Sequence, residues 1–229
     1  MTAEDTSADK TSLKGSLLIA MPTLQDPNFH RRVTLLISHN EQGALGIVLG
    51  APTTTPIREV CAQFNITWAR PTPTYVRSGG PCEGGRIWLV HGGATPLPDA
   101  VTITPGIHIG SSPQLLRTLA ERPKVQKALG GGPASPNAQE SSNMADMADM
   151  ADTANTAATA PPVMVFGGYA GWGPGQLEAE LQHKSWLPSF GEIDADLVFA
   201  TAPDKVWEAA LAAMALSPGH IVSGSGASA

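Results

Sequence analysis

The residues best placed to do chemistry are polar side chains set beside glycine-rich or turn-forming stretches. They are Arg32, Asn40, Gly79-Gly80 and the run from Trp172 through Gln176 to Glu178. Arg32 lies six residues after Asp26, which Pro27 follows. Its planar guanidinium could grip a carboxylate or phosphate from a groove, or pair with Asp26 and hold the loop shut. Gly79-Gly80 and Gly171–Gly175 could present backbone N–H groups to an anion, the second of them at a helix N-terminus. Tight turns with positive φ explain the same glycines. Neither stretch matches a Walker or dinucleotide fingerprint. Glu178 falls in a first helical turn, where a carboxylate suits the macrodipole, or it serves as a general base, although no partner stands at a known spacing. Trp172 and Trp186 flank that helix, as core packing or as an aromatic platform.

Other chemistries find no pattern. Six histidines are scattered without an HxxxH, HxH or Cys/His cluster, so no metal site is expected. No GxSxG elbow occurs, and nothing points to a cofactor. Cys61 and Cys82 form no CxxC pair. Cys61 falls on an apolar helical stripe, and Cys82 follows a Gly-Gly-Pro turn. The formal net charge is −6, and no basic run or helix-turn-helix signature is present. Direct nucleic-acid binding is therefore not expected, because phosphate neutralisation needs clustered Lys and Arg. No apolar run reaches the roughly 18 residues that would span a bilayer. The stretch 1–14 is polar and acidic, without the basic and apolar regions of a secretory signal. It reads as a disordered tail of a cytoplasmic protein.

The elements that must position these residues are mostly strands. Gly (24) and Pro (20) are abundant and charged residues make up only 15%, which favours a turn-rich, sheet-based architecture. Strands are expected at Ser16–Ala20, Val33–His39, Ala44–Leu49, Tyr75–Ser78, Arg86–His91, Ile107–Gly110, Val163–Gly167 and Asp196–Ala200. The turn Asn40–Gly43 makes the second and third a hairpin. Their near-continuous apolarity suits strands covered on both faces. Helices are expected from Thr55-Pro56, with Ile57, Val60, Cys61 and Phe64 as one stripe, and from Ser112-Pro113 until Pro123. Two more follow over Gln176–Leu181 and after Thr201, with Asp204 at the capping-box spacing. Residues 168–175 read as a glycine-rich turn. The stretch 130–162 holds three tandem Met-Ala-Asp triplets and no aromatic or aliphatic β-branched residue. It reads as a disordered insertion, with a Met-rich partner-binding helix as the sharper alternative. The whole describes one α+β domain over 15–216 on a mixed sheet, with a flexible tail over 217–229.

Four segments in order resemble the AlgH/YqgE family of bacterial proteins. They are Ala20-Met21-Pro22 with Leu24–Phe29 and Arg32; His39-Asn40 with Gly43-Ala44, Gly46 and Pro52; Ser78–Pro81; and Gly168–Glu178 with Trp186-Leu187. The resemblance implies a mixed, largely antiparallel sheet curled into a bifurcated pseudo-barrel with helices packed outside. It brings an association with regulation, including of alginate synthesis, and no agreed catalytic activity. Where the family usually has Asn and a basic residue before the proline matching Pro52, this chain has Gly50-Ala51.

The function expected is that of a non-enzymatic cytoplasmic regulatory or binding protein. Its partner would be another protein or a small anionic ligand, held by Arg32, Asn40, Gly79, Gly80, Trp172, Gln176 and Glu178 in one cleft. A hydrolase of a phosphorylated small molecule is the alternative, and a DNA-binding regulator the third.

Overall fold

A computed structural model describes residues 12–71, 73–121, 160–189 and 191–217. The chain runs β1 (Leu17–Ala20), β2 (Val33–Asn40), β3 (Gly43–Val48), β4 (Pro52–Pro56), α1 (Ile57–Ala62), β5 (Tyr75–Ser78), β6 (Cys82–Gly92) and β7 (Val101–Thr104). It continues with β8 (Ile107–Gly110), α2 (Pro113–Ala120), β9 (Val163–Trp172), α3 (Gln176–Gln182), β10 (Trp186–Pro188), α4 (Ala195–Phe199) and α5 (Val206–Ala213). The class is α+β. The sheet order is β10-β1-β2-β3-β9-β6-β8-β7, and every pairing along it is antiparallel.

The sheet divides at β9. Val163–Gly167 pairs with Ile87–His91 of β6, whereas Ala170–Trp172 pairs with Gly46–Ala44 of β3. Between them Phe166 and Gly167 pair in parallel with Arg77 and Ser78 of β5, to which β4 is joined. One wing is thus β10-β1-β2-β3 and the other β6-β8-β7. Among the described residues β7 and β10 do not pair, so hydrogen bonding does not close the sheet into a barrel. The segment entering β1 nevertheless reaches β7: a Cβ on Gly15, at φ +83°, would lie 2.9 Å from the Ile103 carbonyl oxygen.

The glycines of β9 explain a departure from the expected turn over 168–175. The strand continues to Trp172, and Gly168 (φ +78°) is a kink inside it. A Cβ there would stand 2.5 Å from Gly80 O and 2.8 Å from Cys82 O, so two stretches of backbone converge where only glycine fits. The turn proper is Gly173–Gly175.

Apolar side chains fill three clusters on the two faces. Leu35, Ile47, Val90 and Phe166 pack under α4 and α5 through Val198, Trp207 and Leu211. Leu89 and Val165 pack under α1 and α2. Leu18, Leu36, Val48 and Ala170 pack under α3 through Leu177. Leu35 and Leu36 of β2 thus serve opposite faces, as the apolar run in that strand requires.

Several local expectations need correction. Thr55 and Pro56 belong to β4, and α1 starts at Ile57 with Pro56 as an N-cap lacking a side-chain bond. The helix stops at Ala62, leaving Phe64 beyond its stripe and 40% exposed. The expected strand Asp196–Ala200 is instead the helix α4, ending at Phe199 with Ala200 as C-cap, because Asp194 Oδ1 accepts the Asp196 N–H and caps it. Thr201 does not cap α5: its hydroxyl donates to Asp196 O, and the helix begins at Val206 without a side-chain cap. Ser112 does cap α2, accepting from Leu115 N at 3.0 Å while donating to Asp99 Oδ2 at 2.9 Å. Pro123 and the Met-Ala-Asp triplets lie outside the described residues. Pro161 and Pro162, at the end of the compositionally odd stretch, are held by the fold: their carbonyls accept from Arg70 Nη2 and Gly92 N.

Candidate functional site

Arg32 and Asn40 bracket β2, at opposite ends of an eight-residue strand. At roughly 3.3 Å per residue their backbones stand about 25 Å apart, so they do not share one cleft. Arg32 closes the preceding loop through its backbone, donating to Phe29 O and accepting from Ala20 N. Its guanidinium has no hydrogen bond or ion pair among the described residues. The expected Asp26–Arg32 pair is not formed, because Asp26 Oδ1 is turned back on Asn28, accepting from its backbone N at 2.8 Å and side-chain amide at 3.0 Å. Asn40 does similar local work in the hairpin, its Oδ1 accepting from Gln42 N at 2.9 Å.

Gly79 and Gly80 are close-packing positions. The Gly79 N–H donates to Gly167 O, and its carbonyl accepts from Val48 N. A Cβ on Gly80 (φ +143°) would be 2.2 Å from the Tyr169 carbonyl carbon. An anion approaching Gly79 would find its amide already engaged. The same holds at Gly173, whose N–H donates to Gln176 Oε1 at 3.0 Å.

Trp172 and Gln176 do come together, around α3 and at the same sheet end as Asn40, and Glu180, a residue without a sequence signal of its own, organises them. Glu180 Oε2 accepts from the indole N–H of Trp172 at 3.0 Å and of Trp186 at 2.7 Å, and Oε1 accepts from Gln176 Nε2 at 2.9 Å. The two indoles pack edge to face 5.8 Å apart, with Phe29 at 6.4 and 5.4 Å from them. Centroids that close leave no room for a ligand between the rings. Trp172 is 6% exposed, so it is core rather than platform. The cue available in the sequence was the i, i+4 pair Gln176/Glu180 on a helix with a tryptophan at each end.

Glu178 points elsewhere, to His39 at the end of β2, with Nε2 and Oε1 2.8 Å apart. His39 Nδ1 accepts the Leu13 N–H at 3.0 Å. An amide nitrogen only donates, so Nδ1 is bare and Nε2 carries the proton toward Glu178. The Glu178 carboxyl is held below its usual range, first by its own backbone N–H and then by the His39 imidazole. Both imidazole nitrogens are therefore occupied, and His39 can act as a base only by releasing Leu13. Among the described residues, no group of three or more His, Cys, Asp and Glu is placed to hold a metal ion. Cys61 is buried, and burial pushes its thiol pKa up, away from the reactive thiolate.

A concave surface lies elsewhere, between the two wings. Ile37 and Leu45 of the β2–β3 hairpin face Trp88, Val101 and Ile109 of the other wing across a groove of about 400 Å³. Asp99, Ser111 and Ser112 form part of its lining. Val101 is 60% exposed, an unusual position for a valine in a sheet. The Arg86 guanidinium sits 4.9 Å over the Trp88 ring, and Tyr169 packs edge-on to the same indole. None of these side chains announces itself in the sequence, because the groove arises only when the sheet divides at β9.

Comparison with known proteins agrees with this fold. Residues 17–131 and 132–219 match the model of the AlgH-like family, DUF179. A UPF0301 protein of Thioalkalivibrio sulfidiphilus is 31% identical over 203 residues, covering 88% of this chain and 89% of its own. One of Magnetococcus marinus is 30% identical over 214 residues, covering 93% and 95%. The solution structure of the AlgH protein from Pseudomonas aeruginosa superposes with a TM-score of 0.60 at 27% identity, covering 100% of this chain and 98% of that one. The crystal structure of a Corynebacterium diphtheriae protein, with a TM-score of 0.56 and 17% identity over 86% and 84% of the chains, shares the fold.

Proposed function

The chain belongs to the AlgH-like family, and from that premise we propose that it is a non-enzymatic cytoplasmic regulatory protein that acts by binding a partner in the groove between its two wings. The observation that carries this reading is the groove itself, with apolar walls, polar residues beside them and an exposed valine. Its volume of about 400 Å³ falls within the range of specific binding clefts, roughly 300 to 1,000 Å³. An apolar side chain from a partner, or a small ligand with an apolar body, fits that lining.

A second reading keeps Arg32 as the contact for a small anionic ligand, because its guanidinium has no internal partner among the described residues. The hydrolase alternative draws less support. The Gly79 and Gly173 amides that would cradle a phosphate are engaged inside the fold. A net charge of −6 disfavours direct DNA binding in the same way.

The test is a fragment library titrated into isotope-labelled protein, read by amide shifts and repeated with Val101→Asp and Arg32→Ala. Shifts clustered on Ile37, Trp88 and Val101 that vanish in Val101→Asp support the groove. Shifts that survive Val101→Asp and vanish in Arg32→Ala support the second reading. Turnover of phosphate esters by the native protein would overturn both.

A further inference from the structure

His91 on β6 and His108 on β8 are cross-strand partners. They are 0% and 1% exposed, with ring centroids 4.9 Å apart and planes tilted by 37°. Two imidazoles in contact without solvent access are costly unless each nitrogen is satisfied.

Their hydrogen bonds fix most of the protons. The Leu97 N–H donates to His91 Nε2 at 3.3 Å, so that nitrogen is bare. His91 Nδ1 then carries the proton and donates to Gly92 O at 2.8 Å. His108 Nε2 must donate to Gly93 O at 2.9 Å, because a carbonyl only accepts. His108 Nδ1 faces the Thr102 hydroxyl at 3.0 Å, which can donate or accept. Three of these four bonds end on Gly92, the last residue of β6, and on Gly93 and Leu97 of the β6–β7 connection.

A further proton has opposite consequences on the two rings. On His108 it fits, since Nδ1–H can donate to the Thr102 oxygen. On His91 it would set two donors face to face at Nε2 and expel the Leu97 amide. Among the described residues the surroundings offer no counter-charge. β9 presents Val163 opposite His91, and β7 presents Thr102 to His108. The carboxylate of the connection, Asp99, is turned to Ser112 Oγ. Among the described residues His108 is the one group whose charge acts on His91. Burial holds the His91 imidazole below its ordinary range; the Gly92 carbonyl opposes that shift in part, and His108 adds to it.

We propose that the His91–His108 pair is a proton-sensitive latch on the connection 93–100. Protonation of His91 at Nε2 releases Leu97 and loosens the segment that carries Asp99 to the groove. The latch stands whether or not the groove is the binding site, since it concerns only the connection.

Hydrogen exchange of the full chain, followed by NMR between pH 7.5 and 5.0, tests it. If His91 stays neutral while latched and titrates near 6.5 when released, opening at pH 5.0 is favoured about 30-fold over pH 7.5. After correction for the intrinsic rate, Leu97 exchange should rise by about that factor, and Leu36 exchange in β2 should not. In His91→Gln the amide can accept from Leu97 and donate to Gly92 without titrating, so the rise should disappear. Corrected Leu97 exchange that is flat, that parallels Leu36, or that rises equally in His91→Gln overturns the latch. Should that variant not fold, the imidazole ¹⁵N shifts of the native chain decide: an Nδ1–H tautomer at His91 supports the latch, and an Nε2–H tautomer overturns it.

Discussion

His39 and Glu178 meet at 2.8 Å across 139 residues of sequence, joining the end of β2 to the first turn of α3. The contact also reaches the start of the described chain, because the other nitrogen of His39 holds Leu13, and Ser12 donates to the His39 carbonyl. One imidazole thus ties three segments at a single sheet corner.

Its energetic weight should be small. The Glu178 side chain is 47% exposed, and pairs in that setting contribute about 0.5 kcal/mol or less. The sign of the pH dependence follows from the direction of the shift. Glu178 is depressed in the folded state, so its contribution is present above the unfolded value near 4.5 and is lost as pH falls below it. Glu178→Gln should lower stability by no more than about 0.5 kcal/mol at pH 7. The deficit should close as pH falls below 4.5 and through the lower value of the folded state. Urea melts of both proteins across that range measure it.

Glu180 should matter far more. Removing its carboxylate leaves two indole N–H groups and the Gln176 amide without acceptors, in a cluster where Trp172 and Trp186 are 6% and 3% exposed. Each stranded buried donor costs about 1 to 3 kcal/mol. Glu180→Ala is expected to cost about 3 kcal/mol. That lowers the melting temperature by about 6 to 12 °C. Glu180→Gln, which keeps one acceptor oxygen, should lose less than half as much. Calorimetry with tryptophan emission checks both. Equal losses in the two variants would mean that shape, rather than hydrogen bonding, is what Glu180 supplies.

What was legible in the sequence was local periodicity. The β2–β3 hairpin, β5, β8, α2 and α3 follow from apolar runs bounded by Gly, Pro and a capping Ser. Short apolar runs were ambiguous, as a period-2 and a 3.6 pattern cannot be told apart over five residues. Asp196–Ala200 therefore reads as a strand, whereas the Asp194 cap makes it a helix. β7 was hidden because Pro98 and Pro105 made its surroundings resemble a loop, and β10 because it is only three residues long. The site was less legible than the fold. Arg32, Asn40 and the glycines stood out by type, but whether polar groups converge depends on register between distant strands. His39–Glu178, His91–His108 and the groove are all cross-strand or cross-element relationships of that kind.

The glycines of the division at β9 make a sharper prediction. A methyl on Gly80 would collide with Tyr169 backbone at 2.2 Å and would force a positive φ. A methyl on Gly84, four residues on, meets nothing within 4 Å. Gly80→Ala should cost at least about 3 kcal/mol, since backbone cannot step aside as a flexible side chain can. Gly84→Ala should stay within about 0.5 kcal/mol of the native chain. Denaturant midpoints separate the two. A Gly80→Ala protein as stable as Gly84→Ala would contradict the close approach of the β5–β6 turn to β9.

Arg32 and Asp26 give the last prediction, because they are six residues apart, opposite in charge and yet not paired. If they formed a buried ion pair, removing either partner would strand the other and cost about 3 to 5 kcal/mol. The geometry says otherwise for both. Asp26 holds a local turn through Asn28, and that bond is worth about 1 kcal/mol. Arg32 has no internal polar partner among the described residues, and its place in the loop is kept by backbone bonds that any side chain leaves intact. Asp26→Ala should therefore lower stability by about 1 kcal/mol. Arg32→Ala should change it by less than about 0.5 kcal/mol. The double variant should equal the sum, because no shared contact couples the two sites. A double-mutant cycle by urea denaturation reads all three values at once. A coupling energy above about 1 kcal/mol would restore the ion pair, and a null coupling leaves the guanidinium available to a ligand or partner.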